Sequence, residues 1–113
     1  MYDKGQATVK DVGKKYRELM HKACEGGVGM ACQQLALAYE DEVFGKNNTS
    51  KAIVYYKKGC EANQALSCSS LGLHYRFGEN GIQKDIQKAI KYYKKACDLE
   101  LMSACKDYYE LTK

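Results

Sequence analysis

Apolar residues along this chain recur at helical spacing, and the same pattern appears twice. Cys32, Leu35, Ala36 and Tyr39 stand at i, i+3, i+4 and i+7, and Cys68, Leu71, Gly72 and Tyr75 repeat that stripe. A second stripe runs through Ala52, Tyr55, Tyr56 and Gly59 and again through Ala89, Tyr92, Tyr93 and Ala96. The small residues at the stripe ends let two helices approach closely while the tyrosines fill the gaps beside them. No run alternates with the period of two that a strand requires, and proline is absent. The pattern predicts an all-α chain with six helices at about 8–25, 30–41, 50–62, 66–77, 86–99 and 102–112. Asn48 or Thr49 and Asp85 suit N-cap positions. The glycines and asparagines of VFGKNN and FGENGIQ suit turns.

Whole helices recur as well. SKAIVYYKKGCEA (50–62) matches QKAIKYYKKACDL (87–99), and ACQQLALAYE (31–40) matches SCSSLGLHYR (67–76). The offset is 36 or 37 residues, and two helix types alternate within it. A period of this length implies an α/α solenoid of helical hairpins. We therefore expect one domain over 1–113. It begins with a degenerate helix at 8–25, continues through repeats at about 29–64 and 65–101, and ends in a partial repeat at 102–113.

The six cysteines keep the same rhythm. Cys24 and Cys32, Cys60 and Cys68, and Cys97 and Cys105 are each eight positions apart. Along one unbroken helix, eight residues rise by about 12 Å. A disulfide needs Cα atoms within about 7 Å. Bonded pairs would therefore require the chain to reverse between them, each bridge stapling the end of one helix to the first turns of the next. EGGVGMA has three glycines and EANQALS has Asn63, whereas DLELMSA has neither residue type. The even number and fixed spacing favour bridges and an oxidising compartment. Free thiols in a cytosolic chain and a metal site are the alternatives. Zinc sites favour shorter spacings, and His21 and His74 do not complete a set, so no metal and no cofactor are expected.

Composition narrows the picture further. Hydrophobic residues make up 45% and charged residues 28%, as in a folded soluble domain, and no apolar run is long enough for a membrane span. MYDKGQATVKDVGKK lacks the apolar core of a signal peptide, so the chain is either cytosolic or a mature or trimmed form. The net charge of +4 comes from lysines spread along the chain, which a solvated surface explains better than a nucleic-acid patch.

LGLHYRFGENGIQKDIQKAIKYYKKACDLELMSAC resembles the Sel-like repeat, a relative of the tetratricopeptide repeat. The cysteine spacing within a 36-residue period resembles that of the Helicobacter cysteine-rich proteins. The resemblance spans about residues 20–112 and rests most on Leu71, Gly72, Tyr75, Ala89, Tyr92, Tyr93, Cys97 and Cys105. The first repeat departs from it, with Ala36 where the pattern has glycine. The N-terminal helix keeps only Ala23 and Cys24 clearly, and Gly13 inside it costs near 1 kcal/mol. The resemblance implies a secreted or periplasmic bacterial protein. It also implies penicillin binding, weak β-lactamase activity or host interaction.

Two site hypotheses follow. By similarity to tetratricopeptide repeats, a groove lined by the first helix type would be reached from Gln33, Leu37 and Glu40, from Ser69, Leu73 and Arg76, and from Lys106 and Glu110. Arg76 is one of two arginines, and its forked donors suit a carboxylate. Such a groove would take a peptide, a protein segment or a peptidoglycan fragment, in a chain expected to be monomeric. The alternative is a penicillin-binding protein turning over β-lactams slowly. A serine β-lactamase needs Ser-x-x-Lys together with further elements. Ser103 and Lys106 form one Ser-x-x-Lys, but five serines and sixteen lysines make a chance match unsurprising, and the supporting elements are missing. Tyr55–Tyr56 and Tyr92–Tyr93 could form a stacking platform, though helical spacing favours packing. Ser67, Ser69 and Ser70 read as small polar positions early in a helix.

Overall fold

A computed structural model describes residues 9–41 and 48–113. It holds six helices: α1 (Val9–Glu25), α2 (Gly29–Glu40), α3 (Thr49–Glu61), α4 (Ala65–Phe77), α5 (Ile86–Asp98) and α6 (Met102–Thr112). The expected boundaries agree with these to within one residue at each end, and the described residues contain no strand. The turn expected at VFGKNN falls mostly on residues 42–47, outside the described ones.

Successive helices pack on one another, and two layers result. α1 and α3 are neighbours in one layer, and α2 and α4 are neighbours in the other. The molecule measures 61 × 27 × 20 Å with a radius of gyration of 16.0 Å. A compact chain of this length would have a radius near 13 Å. The excess is that of an elongated array in which each hairpin touches only its neighbours.

The hairpins α1–α2, α3–α4 and α5–α6 share one turn geometry. Gly27, Asn63 and Glu100 occupy it with φ of 93°, 63° and 72°. The preceding helix closes the same way each time. Asn63 N–H donates to Cys60 O and Gln64 N–H to Gly59 O, and the equivalent pairs are Gly27 to Cys24 with Val28 to Ala23, and Glu100 to Cys97 with Leu101 to Ala96. This crossed pair of bonds satisfies carbonyls that the helix end would leave open. Glycine and asparagine visit the left-handed region readily, whereas glutamate does so at a cost. DLELMSA thus turns at Glu100 although no local signal marks it.

The turn brings each cysteine pair together. Cys24–Cys32, Cys60–Cys68 and Cys97–Cys105 are disulfide-bonded, with Cα atoms 4.6, 4.7 and 4.5 Å apart, and no cysteine is free. Each bridge ties the last turn of a second-type helix to the first turn of the following first-type helix.

The stripes read from the sequence form the core. Leu35, Ala36, Ala52, Tyr56, Leu71, Ala89, Tyr93 and Ala96 are each 1% exposed or less. The central hairpin shows one close approach. A Cβ on Gly59 would lie 2.9 Å from Ser67 Cβ, so the larger Ser67 on α4 is matched by the absence of a side chain on α3. Asn48 and Asp85 cap α3 and α5, their side chains accepting from Lys51 N–H and Lys88 N–H at 3.1 Å. Asn48 N–H and Asp85 N–H also donate to Tyr39 O and Tyr75 O, fixing how each first-type helix hands over to the next second-type one.

Candidate binding cleft

The exposed side of the α2–α4 layer carries the positions that the sequence marks as a groove. Leu37, Glu40 and Leu73 line one cleft of about 490 Å³. Tyr56, Ser70, His74, Phe77, Glu79 and Asn80 complete it. Leu73 and Phe77, four residues apart on one helix, are 50% and 54% exposed.

The polar part of the cleft is organised around Glu40. The Tyr56 hydroxyl donates to Glu40 Oε1, and His74 Nε2 lies 3.1 Å from Glu40 Oε2. Burial pushes the Glu40 carboxyl up, but the hydrogen bonds from His74 and Tyr56 and the His74 charge outweigh it. The carboxyl therefore titrates below its ordinary value. Burial, then the bond to Glu40, pushes the Tyr56 hydroxyl far above its ordinary range, so it remains a donor. The result is a held carboxylate beside two exposed apolar side chains. Such an arrangement can accept a cation or a hydrogen-bond donor while an adjoining apolar group packs on Leu73 and Phe77.

Other expected groove residues are engaged elsewhere. Gln33 is buried and accepts a 2.7 Å hydrogen bond from Gln64, so it packs α2 against the start of α4 and does not face the groove. Arg76 does meet carboxylates, but they belong to this chain: Asp107 at 3.7 Å and Glu110 at 3.8 Å. Arg76 and Glu110 thus tie α4 to α6. Ser69 is half-buried and Lys106 exposed. Ser103 is exposed in the first turn of α6. Among the described residues neither Ser103 nor Lys106 makes a side-chain hydrogen bond or ion pair, and the Cys105 between them is bridged to Cys97. No group of three or more His, Cys, Asp or Glu that could hold a metal ion occurs among the described residues, and no helix there is long and apolar enough to cross a membrane.

His74 and Tyr56 escape sequence reasoning for a physical reason. Their shared partner Glu40 lies on another helix, 34 and 16 positions away, and nothing local marks the contact. A signal for His74 and Phe77 did exist. Ser70, His74 and Phe77 stand at i, i+4 and i+7 on the helix face that also holds Leu73. The tyrosine doublets pack, as their spacing suggests. Tyr55, Tyr56 and Tyr93 are buried, and Tyr39–Tyr55 and Tyr75–Tyr92 form near-parallel stacks.

The fold and the repeats agree with known proteins. Helicobacter pylori cysteine rich protein B is 34% identical over 82% of this chain and 69% of that one, with a TM-score of 0.76. A protective antigen of uropathogenic Escherichia coli strains with an SLR fold is 25% identical over 81% of this chain, TM-score 0.74. A Sel1 repeat protein from Oxalobacter formigenes shows the same fold at 23% identity over 88% of this chain, TM-score 0.74. The chain spans 20% and 40% of the lengths of the latter two. No curated protein matches it in sequence. The Sel1 repeat model matches residues 1–28, 29–64 and 65–101, and on that match the chain belongs to the Sel1 repeat family.

Proposed function

We propose that this chain is an extracytoplasmic binding module whose α2–α4 cleft takes a segment of a partner protein. The observation that carries the reading is the cleft itself. It sets a carboxylate held by Tyr56 and His74 beside two half-exposed apolar side chains, Leu73 and Phe77. A segment presenting an apolar side chain next to a lysine, an arginine or a free amine would satisfy both parts. The three bridges support a setting outside the cytoplasm, because thiols are kept reduced inside it. The similarity to the H. pylori cysteine rich protein points the same way. A peptidoglycan fragment bearing a free amine fits the same chemistry. Slow β-lactam turnover gains nothing from the geometry of Ser103 and Lys106, which stand exposed without a gathered base.

Panning a random peptide library against wild type and against Leu73→Asp tests the proposal. Wild type should enrich peptides that pair an apolar residue with a basic one, and these should lose at least tenfold in affinity on Leu73→Asp, about 1.4 kcal/mol. Enriched peptides that bind both proteins equally would place recognition elsewhere. Intact-mass measurement after alkylation without reduction tests the setting: no alkylated cysteine is expected in protein from its natural source.

A further inference from the structure

The cations of this chain are spread along the sequence but gathered in space. α1, α3 and α5 carry twelve Lys and Arg residues against five Asp and Glu, whereas α2, α4 and α6 carry two against three. Helices of one type return every 36 residues, so even spacing in sequence becomes one basic layer in the fold.

Two clefts open between consecutive helices of that layer. Between α1 and α3, a cleft of about 800 Å³ has Lys15, Lys22 and Lys51 around the Tyr39–Tyr55 stack. Between α3 and α5, a cleft of about 240 Å³ sets Lys57, Lys91 and Lys95 beside Tyr92. One carboxylate lines each, Glu18 and Glu61. Among the described residues none of these six lysines has an ion-pair partner, while nearby Glu25 and Asp98 are taken by Lys58 and Lys94. Unpaired like charges converging on a concave surface repel one another, and a bound polyanion relieves that repulsion while releasing its own counterions.

We propose that the α1–α3–α5 layer binds an acidic or sulfated polysaccharide lying across both clefts. The repetition favours a long ligand with regularly spaced charges, since two linked weak sites bind more tightly than either alone. The tyrosines select against nucleic acid. Tyr39 and Tyr55 stack on each other at an interplanar angle of 3°, with Lys51 over the first ring and Lys58 over the second. Tyr92 is likewise stacked on Tyr75, with Lys91 over its ring. The rings are engaged, so bases would lack the stacking platform that single-stranded nucleic acid uses. Lysine ammonium groups, as flexible point charges, suit carboxylate and sulfate groups on a sugar chain.

Labelled heparin oligosaccharides of graded length, at about 150 mM salt, provide the probe. Affinity should rise with length. Lys22→Glu and Lys91→Glu, one in each cleft, should each weaken the longest probe severalfold and together at least tenfold, with melting temperatures unchanged. Lys113→Glu changes net charge equally at the end of α6 and should alter affinity less than twofold. Three results would each overturn the proposal: no binding at that salt, an equal loss with Lys113→Glu, or single-stranded DNA of matched charge binding as tightly.

Discussion

In the first complete repeat, Tyr56 reaches from α3 and donates its hydroxyl to Glu40 at the end of α2. In the second, Tyr93 reaches from α5 toward Arg76 near the end of α4, and its buried hydroxyl meets no partner at full hydrogen-bond geometry. Arg76 turns instead to Asp107 and Glu110 on α6. The rings themselves are equally buried, at 1% and 0% exposure. What differs is the residue met by the tip of each ring, a carboxylate in one copy and a guanidinium in the other. The apolar stripe fixes the packing, while the charged residue at the outer end of each first-type helix changes sign without disturbing it. The first repeat thereby keeps a carboxylate open to a cleft, and the second spends its cation on the next helix.

The largest effects should come from what both copies share. Replacing Cys60 and Cys68 by alanine removes a loop closure worth about 2–3 kcal/mol in the chain-entropy picture. Cys60 and Cys68 are buried, whereas Cys97 and Cys105 are half-buried. The central pair should therefore cost more, as read from urea midpoints without reductant. Equal costs would mean that packing around the bridge adds nothing. Next comes the seat of the tyrosine ring. A Cβ on Gly72 would stand 2.8 Å from the Tyr93 ring, so Gly72→Ala should destabilise by about 1–3 kcal/mol. Ala36, the equivalent residue in the first repeat, already carries that Cβ in full burial, so Ala36→Gly should cost about 1–2 kcal/mol, from helix propensity and the lost methyl together. A Gly72→Ala variant that melts with wild type would show that the two seats are interchangeable.

The tyrosine tips should separate the repeats directly. Tyr56→Phe removes a hydrogen bond to a carboxylate and should cost about 1–2 kcal/mol. Tyr93→Phe removes a buried hydroxyl that meets no partner at full hydrogen-bond geometry and should be neutral or slightly stabilising. Similar losses in thermal melts would mean that the Tyr93 hydroxyl is satisfied in solution. The turns offer a gentler contrast. Glu100 sits where the neighbouring hairpin has Asn63, and Glu100→Asn should stabilise by about 0.5–1 kcal/mol, since asparagine tolerates positive φ better. A loss in its chemical-denaturation midpoint would assign Glu100 a contact that the turn geometry does not reveal.

The sequence carried the architecture because architecture here is local and repeated. Stripe periodicity, the caps at Asn48 and Asp85 and the cysteine spacing are each readable within a few residues, and a second copy corroborates every one. The cleft was legible only in part. Leu37, Glu40 and Leu73 were reachable by register along the first-type helices. Gln33 has the same register but faces Gln64, because side-chain direction depends on what the next hairpin places opposite it. Tyr56 and His74 came from outside that register. The turn at Glu100 carried no signal because the bridge and the helix contacts on either side impose it on an unsuited residue. The lysines were legible one by one, but their gathering on one layer required the two-layer fold.

The smallest effect should come from Glu40 itself at acid pH. Burial raises its pKa, but the bonds from His74 and Tyr56 and the His74 charge lower it further, leaving it below the ordinary value of about 4.3. The unfolded chain therefore binds a proton more readily through that window than the folded one. Stability contributed by Glu40 is fully present above about pH 4.3 and is lost as pH falls through the lower folded-state pKa. Glu40→Gln cannot titrate, so the gap between wild type and this variant should narrow as urea midpoints are followed from pH 6 down to about pH 3. Tyr93→Phe removes a hydroxyl that stays protonated throughout, and its offset from wild type should hold constant over the same range. A Glu40→Gln gap that also stays constant would mean that the bonds from Tyr56 and His74 do not depend on ionisation. Glu40 would then have the same proton affinity in the folded and unfolded chain, and the cleft would do nothing to favour its ionised form.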